Sequence, residues 1–149
     1  VDLLNLHFGK IQKSHYFPQL VSENGTSFDT AYILLKYNNG ITASIINSYA
    51  APSITELMMI GTNGFLTIRN NEATLFSPRD TFNSKGDFTC PSALEQNQFN
   101  FEDEVTSSLE KSLVYFLTCV SENRPVPTNQ FKSSIETNRF IIRLKTSKL

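Results

Sequence analysis

Apolar and polar positions along this 149-residue chain change their period twice. Val1, Leu3, Leu4, Leu6 and Phe8 crowd the first residues and stop at Gly9, which predicts the last turns of a helix closed by a glycine. A polar stretch follows, with His15 on a probable strand. Residues 30–38 (TAYILLKYN) and 41–48 (ITASIINS) then flank Asn39-Gly40, the strongest short hairpin signal, and predict an antiparallel pair. Further β-rich runs at 55–60, 65–69 and 73–77, separated by turns at 61–64 and at Asn70-Asn71, extend the expected meander to five strands. Ala31, Ile33, Leu35 and Tyr37 share one face of their strand and Tyr32 and Leu34 the other, so neither face is wholly polar. Helices are expected on one face; the apolar content of the other favours a partner, as in a sheet-to-sheet homodimer.

Residues 77–101 carry Pro78, Gly86 and Pro91 among many polar side chains, with Phe82, Phe88 and Phe99 isolated between them, and read as a long, partly ordered loop. Helical spacing returns at Val105, Leu109, Leu113, Phe116 and Val120, with Ser107 and Glu110 at capping-box spacing and Pro125 and Pro127 closing the segment. A second pair at that spacing, Ser133 and Glu136, opens a last helix through Ile135, Phe140, Ile141, Ile142 and Leu144 to a basic end at Lys145 and Lys148. Strands and helices are segregated rather than alternating, which places the chain in the α+β class, as a mainly antiparallel open-faced sheet with helices on one face. The length suits one ordinary domain.

Composition narrows the function. Apolar residues at 40% and charged residues at 18% describe a globular chain, and no apolar run is long enough to cross a bilayer. A net charge of −1, with 13 basic residues scattered along the sequence, argues against nucleic acid or an anionic membrane as partner. Two cysteines, Cys90 and Cys119, are too few for a disulfide framework and too far apart for a CxxC site, which suits a reducing cytoplasm. Residue 1 is Val, with no signal-peptide pattern after it, so the chain is expected to begin inside a longer protein.

Candidate chemistry is sparse. His7 and His15 lack a third ligand at metal spacing, and neither cysteine has a histidine at motif distance to activate it. No GxGxxG, GxxxxGK[ST] or GxSxG occurs, so a phosphate-cradling loop and a nucleophile elbow are both missing. Glu102, Asp103 and Glu104 fit the positive end of a helix better than a cation site. Asn24-Gly25-Thr26 matches a glycosylation pattern but reads as a turn. Tyr49, in the stretch 49–53 (YAAPS) where the chain leaves the sheet, is a candidate substrate contact.

VDLLNLHFGK at 1–10, the Asn38-Asn39-Gly40 hairpin, SYAAP at 48–52, ELMMIGTNGFLTI at 56–68 and LVYFLTCVSENRPVP at 113–127 together resemble the glucose-fructose oxidoreductase / inositol dehydrogenase / rhizopine-catabolism (Gfo/Idh/MocA) family, nearly end to end. The resemblance implies that residues 1–149 are the C-terminal substrate-binding and oligomerisation domain, and that an N-terminal Rossmann domain outside this chain binds NAD or NADP. It implies for the full-length protein an oxidoreductase acting on a sugar, sugar-nucleotide or cyclitol hydroxyl, with a homo-oligomer formed through the open sheet. The family's catalytic lysine belongs to the Rossmann domain, and the histidine of its H-x-x-D motif falls three positions before Asp2. No catalytic residue and no bound cofactor are therefore expected in this chain. Asp2, which remains of that motif, could bind a substrate hydroxyl, or equally hold the domain junction or contact neighbouring backbone. The alternative is a non-catalytic dimerisation or carbohydrate-binding module of the same fold.

Overall fold

The computed structural model describes residues 1–125 and 128–146. Pro127 and Lys148, expected to close the long helix and the chain, lie outside the described residues. The order of elements is α1 (Asp2–Phe8), β1 (Ile11–Gln19), β2 (Thr30–Tyr37), β3 (Thr42–Ser48), β4 (Glu56–Gly61), β5 (Gly64–Arg69), β6 (Glu72–Phe76), β7 (Thr81–Phe82), β8 (Phe88–Thr89), β9 (Ala93–Gln98), α2 (Phe101–Ser121) and α3 (Thr128–Thr146). All strand pairs are antiparallel, and the class is α+β. The chain forms two compact units, residues 1–53 with 125–149, and residues 54–124.

In the first unit β1, β2 and β3 form one sheet in that order. The β2–β3 connection closes as expected: the Gly40 amide donates to the Tyr37 carbonyl, and Gly40 takes the left-handed backbone (φ 87°) that glycine adopts without a side-chain clash. Alternation along β2 buries Leu35 and Tyr37 and leaves Tyr32, Leu34 and Lys36 exposed. β1 is an edge strand, and Pro18, which lacks an amide hydrogen, is tolerated there. On the buried side, the Phe8 ring meets Tyr37 edge-on at 5.6 Å, which seats α1 against β2. α3 packs against α1 and contributes Thr137 and Leu144 to the buried set.

The second unit holds β4, β5, β6 and β9 as a sheet in that order, the small β7–β8 hairpin, and α2. The expected five-strand meander is therefore divided: β2 and β3 belong to one sheet, and β4, β5 and β6 to another. The segment read as a loop at 77–101 contains three strands. β9 (ALEQNQ) is exposed at every position and pairs with β6 through its backbone, so no apolar alternation announced it. α2 begins at Phe101 with Asn100 as N-cap, whose side chain accepts the Glu102 amide, so Ser107 and Glu110 lie inside the helix. The acidic triplet occupies the first turn, as its charge suggested. α3 likewise begins at Thr128, five residues before Ser133. The stripe Val105, Leu109, Leu113, Phe116 and Val120 is exposed along α2, and Cys119 is the helix's buried residue.

Gly61 and Gly64 pair across a two-residue loop of Thr62 and Asn63. Ser77 donates to the Asn63 carbonyl at 2.9 Å, and Phe65 stacks on Phe76 at 4.5 Å, which locks the turn against the end of β6. Gly64 is held at φ 145°, and a Cβ there would lie 2.1 Å from the Phe76 carbonyl oxygen. Substituting Gly64→Ala is expected to cost about 3 kcal/mol through backbone strain and overpacking. Urea denaturation measures this; a variant as stable as wild type would show that the β6 carbonyl moves aside freely.

Candidate functional site

The polar groups of the first unit converge on α1. The Tyr37 hydroxyl donates to Asn5 Oδ1 (3.4 Å), Asn5 Nδ2 donates to Thr137 Oγ1 (3.1 Å), and Thr137 Oγ1 donates to Asp2 Oδ1 (2.9 Å). Ser133 Oγ adds a longer bond to the same Asp2 oxygen (3.4 Å). Every donor in this relay points toward the carboxylate, so each bond polarises the next. Tyr37 is fully buried, and burial raises its phenol above the ordinary value, which keeps it a neutral donor. Oδ2 of Asp2 takes no hydrogen bond among the described residues.

A cavity of about 570 Å³ opens beside this relay, between the Gly9 end of α1, the start of β1 and one face of α3. Asn5 and Ser133 belong to both. A smaller cavity of about 490 Å³ lies over the sheet and includes His15, Tyr32, Leu34 and Ser44. Among the described residues there is no cluster of His, Cys, Asp or Glu fit to hold a metal ion.

A second polar knot organises the rim of the sheet. Asp29 accepts the Val21 and Ser22 amides and the Ser22 and Thr30 hydroxyls. Its carbonyl accepts the Tyr49 amide, so the β1–β2 loop and the strand exit are tied to one residue. Hydrogen bonds from the Ser22 hydroxyl and amide and the Val21 amide hold the Asp29 carboxyl far below its usual range.

Of the two residues singled out in the sequence, Asp2 is joined to α3 hydroxyls, and Tyr49 stands 89% exposed at this rim. No hydrogen bond or ring contact joins the two, and neither lines either cavity. Sequence reading passed over Asn5, Tyr37, Thr137 and Asp29. An Asp-Thr pair at a strand start is a legible turn signal for Asp29, whereas Asn5 and Thr137 stand 132 positions apart and carry no local signal.

No family profile and no curated protein match the chain. Among solved structures it is similar to a presumed oxidoreductase from Thermotoga maritima, at 20% identity and a TM-score of 0.45, over 74% of this chain. The chain spans 34% of the length of that protein.

The Asp29 knot predicts a pH dependence. Its folded value lies below the ordinary 3.8, so the carboxylate contributes stability above that pH. The contribution drains away as pH falls, because the unfolded chain takes up the proton first. Asp29→Asn lacks it throughout, so the gap in Tm between wild type and variant is expected to be widest near neutrality and to narrow below about pH 4. A gap that stays constant from neutral to strongly acidic pH would contradict this.

Proposed function

We propose that this chain is the substrate-side, oligomer-forming portion of an NAD- or NADP-dependent oxidoreductase acting on a hydroxyl of a sugar, sugar nucleotide or cyclitol. The observation that carries the reading is the Gly61-Thr62-Asn63-Gly64 turn, which folds as a tight hairpin directly after the apolar strand β4; the Gfo/Idh/MocA family that the sequence resembles has a tight G-T-x-G turn after an apolar strand. The α1 segment supports it by ending at Gly9 with φ 82°, although His7 stands where the family's D-L-L-x-x-L-x-G pattern, begun here at Asp2, carries its third leucine.

Oxidation of an alcohol by NAD or NADP moves a hydride from the carbon that bears the hydroxyl, and it needs a base to take the hydroxyl proton and a group that orients the substrate. This chain contributes orientation: Asp2 Oδ2 accepts from a substrate hydroxyl while Oδ1 is steadied by Thr137, and Tyr49 supplies a ring face at the rim. The base and the dinucleotide belong to the rest of the protein. In a reducing cytoplasm Cys90 and Cys119 remain the free thiols they are in this fold.

The outer face of the first sheet is the proposed oligomer contact. Across the register, Phe17, Tyr32 and Ile46 form one exposed row and His15, Leu34 and Ser44 the next, with Lys13 opposite Lys36 at one end. A second copy docked about a two-fold axis covers the apolar rows and keeps the two lysine ends apart.

Two measurements test these readings. The native polypeptide, captured from its source cell with an antibody to this chain, is expected to run at roughly twice this chain's length and to reduce NAD or NADP with a sugar or cyclitol; a band of this chain's own size, without turnover, would favour the non-catalytic module. Light scattering is expected to report a dimer that Ile46→Glu converts to a monomer. A wild-type monomer would remove the sheet contact.

A further inference from the structure

We infer that the 570 Å³ cavity between the Gly9 end of α1, the start of β1 and α3 is a binding site for a phosphate group. Lys132, Glu136, Arg139 and Arg143 follow one another at spacings of four, three and four, which puts them on one face of α3. Lys10 lines the opposite wall, just after the left-handed turn at Gly9. Four basic side chains thus surround the space with Glu136 as the one acidic residue of the lining. This is a dense concentration for a chain whose net charge is −1.

Cations lining a concave wall reinforce one another's field, because the low-dielectric protein behind them confines it to the opening. The planar fork of Arg139 matches a pair of phosphate oxygens, and Arg143, one turn further on, adds its charge. Ser133 adds a hydroxyl at the same wall. Ile11 and Phe140 supply apolar surface, and the volume exceeds what a bare ion needs and falls in the range of small-molecule sites. The shared chemistry is a phosphate dianion, which either free phosphate or a phosphate monoester of a small polar molecule supplies. Neither Asp2 nor Tyr49 lines the site, although Ser133 joins its wall to the Asp2 carboxylate, and the inference does not depend on the oxidoreductase reading.

Titration calorimetry on the 149-residue chain, with inorganic phosphate, glucose 6-phosphate and glucose as probes, tests the inference. Saturable binding of a phosphate probe is expected, with no binding of glucose, and a loss of affinity of at least about tenfold in the Lys132→Glu, Arg139→Glu double variant. Both side chains are exposed, so the variant should keep the wild-type circular dichroism. If it does not, Lys10→Gln replaces it, with a several-fold loss expected. Tighter binding of the ester assigns the site to a phosphorylated metabolite, and equal binding assigns it to phosphate itself. Absence of saturable binding by either phosphate, equal binding of glucose, or undiminished binding by a folded variant would overturn the inference.

Discussion

Tyr37, Asn5, Thr137 and Asp2 hold the first unit together. Their relay runs from a buried strand through α1 to α3 and joins residues more than 130 positions apart. A single such bond contributes about 1 kcal/mol net, but Thr137 is buried, and removing its partner would leave a polar atom that water cannot reach. The penalty for that vacancy makes the arrangement specific. It fixes the rotation of α1, and with it the seat of Phe8 on Tyr37 and the direction in which Gly9 releases the chain into β1. It also ties α3 to α1, which sets two walls of the basic cavity.

The second unit depends on a different kind of constraint. Gly64 lies so close to the Phe76 carbonyl that only a residue without a Cβ fits. With that contact in place, Phe65 and Phe76 stack, Ser77 reaches the Asn63 carbonyl, and the register of β4, β5 and β6 follows. One excluded methyl group does here what four hydrogen-bonded side chains do in the other unit. Its outer strand, β9, contributes little apolar burial, since every position is exposed. The stripe on α2 remains exposed as well, although the helical period that revealed the helix was read from it.

Charge shows how folding creates chemistry that composition hides. Thirteen basic residues scattered through the sequence argued against nucleic acid and an anionic membrane as partners. The helical period of α3 aligns three of them, and the turn after α1 sets a fourth opposite. The exclusion of nucleic acid and membrane as partners rested on long tracts and net charge, and a single small anion needs neither.

By itself the sequence determined the α+β class, the β2–β3 hairpin at Asn39-Gly40, the Gly9 helix end, and the presence of α2 and α3. Each depends on residues within a few positions of one another, and local backbone preference and short-range periodicity suffice for such features. The extent of β1 around His15, strand β9, the true starts of α2 and α3, and the division of the meander into two sheets were decided by the folded chain, through partners distant in sequence. The candidate sites follow the same division. Asp2 and Tyr49 stood out by local pattern, whereas the relay that occupies Asp2 and the cavity that gathers Lys10 with Lys132, Arg139 and Arg143 exist only because the two ends of the chain pack together. Hydrogen bonds and electrostatic fields act over ångströms of space, and sequence separation does not measure that distance.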